Sequence, residues 1–157
     1  MNRYSHLFQF DKYHIFLKLF KFFFILFALQ KDIVFSNEKT SAEKVNFISA
    51  NPFSFFHIIT DLENQKSQNA YGILRFPESR IRNKYPLILG VSGSKNWADH
   101  HLEYMEMYRK MGFATFEIQS FNSRNVNSTV GDQTTVTTAM MILDSYKALE
   151  VLGKDNR

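Results

Sequence analysis

The stretch PLILGVSGSKNWADHH, Pro86–His101, decides the fold. It passes from an apolar run, through a Gly/Ser turn, into a charged segment with helical spacing. The apolar run YPLILGV, Tyr85–Val91, does not alternate, which is the pattern of a strand buried on both faces. From Ala98 to Met111 the spacing places Leu102, Met105 and Tyr108 or Arg109 on one helical face, and Gly112 supplies the stop. Strand, tight turn and helix together form the repeating unit of an α/β sheet.

Working outward, FATFEIQ, Phe113–Gln119, is the strand expected after that helix. AYGILRF, Ala70–Phe76, is the strand expected before it, closed by Pro77. VNFIS, Val45–Ser49, and FFHIIT, Phe55–Thr60, also read as strands, with Asn51-Pro52 as the turn between them and Asp61–Asn69 as a solvated connection. Ser120–Asp132 is a long polar loop, a place where function concentrates. After it, Val136, Ala139, Ile142, Leu143, Tyr146 and Leu149 mark an apolar stripe on a helix from Thr134 to Leu152, ended by Gly153. The expected fold is α/β, with right-handed crossovers between parallel strands. The next strand of this rhythm falls beyond Arg157, so 37–157 reads as the N-terminal part of a truncated sheet.

Residues 1–36 differ in composition. They hold five of the 19 Lys/Arg, two of the 15 acids and nine of the 17 Phe. Basic residues followed by FFFILFAL, Phe22–Leu29, give the n-region and h-region of a secretory signal, with Val34-Phe35-Ser36 as the cleavage site. The run is far short of the ~20 apolar residues of a spanning helix. An uncleaved N-terminal anchor and a buried amphipathic helix are the alternatives. Export to the periplasm or beyond is the expected localisation, with membrane contact only through this segment if it stays uncleaved. Without the leader, 14 basic residues face 13 acids, so the whole-chain charge of +4 falls to +1 and no nucleic-acid partner is indicated. The chain has no cysteine, which excludes disulfides, thiolate nucleophiles and Cys-based zinc sites.

Three chemistries compete for the turn Gly90-Val91-Ser92-Gly93-Ser94. A phosphate loop would use glycine N–H groups at a helix start, but Gly90-x-x-Gly93 lacks the third glycine of G-x-G-x-x-G. A nucleophile elbow, G-x-S-x-G, would make Ser92 the nucleophile. Ser94 then stands where the second glycine belongs, and the only later histidines are His100 and His101, in the next helix. An oxyanion loop would use the backbone N–H after Gly93 to meet charge developing on an acyl intermediate. A plain Gly/Ser turn in an α/β domain is the fourth possibility. On these grounds Ser92 is loop scaffold rather than nucleophile.

From Tyr71 to Arg157 the sequence resembles the N-terminal half of dienelactone hydrolase-like α/β-hydrolases. The resembling segments are YGILRFPES, PLILGVSGS, WADHHLEYMEMYRKMGFATFEIQSF, SFNSR and DSYKALEVL. The resemblance implies a serine hydrolase acting on ester or lactone bonds, with no cofactor, whose elbow and triad lie beyond Arg157. Gly93 matches the family's loop glycine, which makes the Ser94 N–H an implied oxyanion donor; Ser92 stands where the family usually has histidine. Ser120, Phe121 and Arg124 match a Ser-Phe-x-x-Arg segment, with Gln119 in place of the usual acid. Trp97 is a candidate for the acyl pocket or for the core. Arg124 is a candidate ligand for a substrate carboxylate, or a structurally paired arginine. His100 and His101 are adjacent on a helix and diverge by about 100°, so helix capping or packing is preferred over metal binding. Asn127-Ser128-Thr129 fits the glycosylation pattern, and Asp144 with Lys147 reads as a solvated helix pair. The second functional reading is a non-catalytic, exported or anchored α/β binding module.

Overall fold

Pro52 and Ser54 redirect the chain at the end of the first strand, and a short helix forms where a second strand is expected. A computed structural model describes residues 42–78 and 83–157. In chain order the elements are β1 (Glu43–Ala50), α1 (Phe55–Thr60), β2 (Ser67–Arg75), β3 (Leu87–Gly90), α2 (Asp99–Lys110), β4 (Ala114–Ile118) and α3 (Thr138–Leu152). Short 3-10 turns occupy Leu62–Asn64 and Asn122–Arg124. The expected leader, 1–36, lies outside the described residues. Among the described residues no helix is long and apolar enough to cross a membrane.

The FFHIIT segment corrects the sequence reading. Six apolar-rich residues cannot be told apart as strand or helix by period alone, and the capping residue decides. Ser54 starts the turn, and the His57 Nδ1 accepts from the Ser54 N–H at 3.2 Å, the reciprocal half of a capping box with histidine in the usual Glu/Gln position. No residue of α1 is buried, and Phe56 and Ile59 stay exposed.

The four strands form one mixed sheet in the order β1-β2-β4-β3. The β1–β2 and β2–β4 pairs are antiparallel; β3–β4 is parallel. Helices cover both faces, so the architecture is an α/β fold. β4 is the centre of it, with all five residues buried. Alternation along β4 sends Ala114, Phe116 and Ile118 to one face and Thr115 and Glu117 to the other. The first face joins Phe47, Ala70 and Leu74 in an apolar core against Ala148 of α3. Phe116 lies across Gly72 of β2, where an added Cβ would come within 2.2 Å of its ring. Only glycine fits that crossing.

The second face is polar and lies under α2. Glu117 pairs with Arg75 and, at 3.7 Å, with Arg109 of α2, which also donates to the Thr115 hydroxyl at 2.9 Å. Burial and the neighbouring Arg75 lower the Arg109 guanidinium from its ordinary value, with Glu117 opposing. Met105 packs over Gly90, so the expected buried face of α2 is correct at that position. Gly112, at φ 93°, stops the helix where the spacing predicts.

The expected stripe of α3 holds in part: Ala139 and Leu143 are buried, as is Val136 just ahead of the helix, and the rest of the buried face differs. Ala139, Met140, Leu143, Asp144 and Ala148 are buried, whereas Ile142, Tyr146 and Leu149 are exposed. Asp144 is fully buried and does not pair with Lys147, which bonds Glu150 instead. The partner of Asp144 is Arg124.

Candidate functional site

β1, β3 and β4 point the same way, so the segments that follow them emerge together at the carboxyl end of the sheet. Open α/β sheets bind ligands at that end.

The segment after β4 is closed by a clamp. Arg124, on a 3-10 turn, has a side chain only 6% exposed and meets Asp144 through two parallel bonds, Nη1 to Oδ2 at 2.7 Å and Nη2 to Oδ1 at 3.0 Å. Its other donors reach the Ser120 carbonyl (2.9 Å), the Ala50 carbonyl (3.1 Å) and the Asn51 Oδ1 (2.8 Å). Asp144 also accepts from the Ser120 hydroxyl at 2.6 Å. All five N–H groups of a guanidinium are thereby engaged. Arg124 therefore ties the ends of β1 and β4 to α3 with all its donors engaged, which is the structurally paired alternative for this arginine.

The segment after β3 is built the opposite way. The Asn96 N–H donates to the Gly93 carbonyl at 2.9 Å, closing a tight turn over Gly93–Asn96. Asn96 takes φ 63°, the left-handed region that asparagine tolerates better than most residues. Its side chain secures both flanks: Oδ1 accepts from the Trp97 N–H at 2.9 Å and Nδ2 donates to the Asn122 Oδ1 at 2.8 Å. The Ser94 carbonyl is held from outside the turn by the Thr129 N–H (2.8 Å) and the Ser128 hydroxyl (3.1 Å).

That arrangement fixes one donor. In a planar trans peptide the N–H opposes the preceding carbonyl, and the Gly93 carbonyl faces into the turn. The Ser94 N–H consequently faces out of it, and among the described residues no hydrogen bond uses it. Gly93 has open space around its α-carbon, the nearest side-chain atom to an added Cβ being the His101 Cε1 at 4.0 Å.

Ser94 also lines a cavity of about 410 Å³, with Phe121, Thr129 and Val136 from the segment after β4 and Phe53 and Phe55 from the segment after β1. Neither Ser92 nor Trp97 lines it. Ser92 is buried, and its hydroxyl has no hydrogen-bond partner among the described residues, so no base is in reach of it. Trp97 packs over Gly90 and donates its indole N–H to the Ile118 carbonyl at 2.8 Å, anchoring the turn to the end of β4. His101 serves α2: its Nδ1 accepts from the Ala98 N–H at 3.1 Å, the reciprocal half of a capping box. Among the described residues no group of three His, Asp or Glu is placed to hold a metal.

Hydrogen bonds order the far rim of the cavity. The Asp132 carboxylate accepts from the side chain and backbone of Thr134, which hold its carboxyl below the usual carboxylate value. Thr137 caps α3 by accepting from the Met140 N–H at 3.2 Å, and donates to the Pro52 carbonyl at 3.1 Å. Sequence reading finds the Gly93-Ser94 turn but misses Asn96 and Asn122. The only signal for Asn96 is an asparagine directly after a Gly-Ser-Lys turn. No family model matches this chain and no curated protein matches it, so a functional reading rests on the turn, the cavity and the sheet end that carries them.

Proposed function

We propose that this chain is the N-terminal portion of an exported serine hydrolase of the dienelactone hydrolase type, acting on ester or lactone bonds. The observation that carries the reading is the Ser94 N–H, turned out of a fixed turn whose Ser94 lines a cavity, and without a partner among the described residues. A preorganised backbone donor of this kind stabilises the oxyanion of an acyl-transfer intermediate without rearrangement during the reaction. In this reading Gly93 keeps the approach to that donor open, Asn96 and Thr129 fix its direction, and Ser92 is buried scaffold.

A serine hydrolase also needs a nucleophile, a base and an orienting acid. Among the described residues no strand pairs with the outer edge of β3, which supports a source for them. The Tyr85 N–H, just ahead of β3, donates to the Arg157 carbonyl at 2.7 Å, so backbone following α3 already touches that edge. A strand continuing from there would run parallel to β3 and bring the turn after it to the same sheet end as Ser94. The G-x-S-x-G elbow belongs on that turn.

The coding sequence downstream of Arg157 tests the proposal. A strand followed within about 30 residues by G-x-S-x-G, then Asp and His, is the expected result. A fluorophosphonate probe should leave Ser92 of this chain unlabelled, and stoichiometric labelling there would make the turn an elbow instead. For export, the expected product in a Gram-negative periplasm begins near Asn37; an intact Met1 on soluble cytoplasmic protein would contradict the leader. The second reading, a non-catalytic binding module, draws on the cavity, whose described lining is neutral and hydroxyl-bearing, and separately on Ser92, which has no base beside it among the described residues. Ligand binding with no nucleophile encoded downstream would favour it.

A further inference from the structure

The cavity beside Ser94 is of a size that receives a small molecule, within the ~300–1,000 Å³ of ordinary ligand sites. Its lining divides into two chemistries. Phe53, Phe55, Phe121, Val136 and Met141 present apolar surface. Ser54, Ser94, Thr129, Gln133 and Thr137 bring hydroxyl and amide groups. Among the described residues no lysine, arginine, histidine, aspartate or glutamate lines it. The cation that the neighbouring loop does contain, Arg124, has every donor engaged with Asp144, Asn51 and two backbone carbonyls.

We propose that this cavity selects an uncharged ligand: an ester or lactone whose apolar ring or short chain lies against the phenylalanines and whose carbonyl oxygen meets the Ser94 N–H. A carboxylate-bearing ligand would lose part of its hydration there with no described cation to replace it, which disfavours the charged ligand. The first turn of α3, Thr138 and Ala139, brings a helix N-terminus to the wall, but Thr137 caps it by occupying the Met140 N–H, so it offers an anion far less than a full cation would. That the ligand is turned over rests on the hydrolase reading; the preference for a neutral ligand over a charged one does not.

Binding to the full chain separates the two. Saturation-transfer NMR with methyl benzoate, and with the monomethyl ester of terephthalic acid as its carboxylate counterpart, should show the neutral probe bound at least about five-fold more tightly, the scale of one uncompensated charge. Gln133→Lys, at an exposed position on the rim, should then improve the carboxylate probe by about five-fold and leave the neutral one unchanged. Met141→Trp, on a half-buried wall, should remove binding of both while circular dichroism stays native. Equal or tighter binding of the carboxylate to the unchanged chain overturns the proposal, and so does neutral binding that survives Met141→Trp. If the neutral preference holds but no elbow is encoded downstream, the hydrolase reading fails and the ligand site stands. An elbow found together with a carboxylate preference overturns the neutral site and leaves the hydrolase reading standing.

Discussion

The segments after β3 and after β4 leave the same end of the sheet and treat their polar groups in opposite ways. After β4, Arg124 and Asp144 are almost wholly buried and mutually saturated, with Ser120, Asn51 and the Ala50 carbonyl completing the set. After β3, the turn is held by Asn96 and Thr129, yet among the described residues one backbone donor beside the cavity has no partner. A charged residue in a loop at a sheet end is therefore a poor guide to a site by itself. The informative feature is a group that is fixed in place and still unsatisfied.

The strongest way to break this contrast is to remove the clamp. Arg124→Met leaves Asp144 buried and uncompensated and orphans two carbonyls, so a loss of about 3–5 kcal/mol in denaturant unfolding is expected. A loss below about 1 kcal/mol, the scale of a surface pair, would mean that the clamp is not structural and would reopen Arg124 as a ligand. Asp144→Leu in the Arg124→Met background should recover part of the loss, because an apolar pair replaces a lone charge. It should not recover all of it, since the carbonyls of Ser120 and Ala50 remain without their donor.

Asn96→Ala tests the other side of the comparison. It removes two side-chain bonds and puts a residue less tolerant of positive φ at 63°, with an expected cost of about 1–3 kcal/mol. Because the Ser94 N–H is aimed by this turn, any ligand binding should fall further than stability does; equal falls would show that Asn96 only holds the fold. Ser92→Ala is a smaller change. Its hydroxyl is buried without a partner among the described residues, so removal should be neutral or stabilising by up to about 1 kcal/mol. A clear destabilisation would reveal a bond that the turn depends on.

The smallest expected effect is a pH response at the rim. The Asp132 carboxyl titrates below its usual value because Thr134 bonds the charged form. Its contribution to rim order is present above the unfolded carboxylate range and is lost as pH falls through the lower, folded value. The Thr134 amide resonance should shift in that acidic window, and Asp132→Asn should abolish the shift.

Strands are legible in the sequence wherever apolar runs are long or bounded by Pro and Gly, as at 70–76 and 85–91, and the strand–turn–helix order around Gly93 follows from the same signals; the unbroken run at 85–91 nevertheless overstates burial, since β3 is four half-buried residues at the end of the described sheet. Phe55–Thr60 is not, because a six-residue apolar run has no period and its helix depends on one Ser54–His57 contact. The face of α3 is misread because Asp144 looks like a surface residue; its partner lies 20 positions away and is itself held by Asn51, 73 positions from Arg124. For the site, the Gly/Ser turn is visible as composition. The direction of its free N–H is not, since that follows from bonds made by Asn96, Asn122 and Thr129 across separate segments.

Trp97 fixes the turn to β4 through its indole N–H, and it is the only tryptophan in the chain. All intrinsic tryptophan emission therefore originates at the base of the Gly93–Asn96 turn. The fluorescence of the unmodified protein is a spectroscopic window on this one junction, able to register its loosening by a ligand, by acid or by a mutation without any attached label.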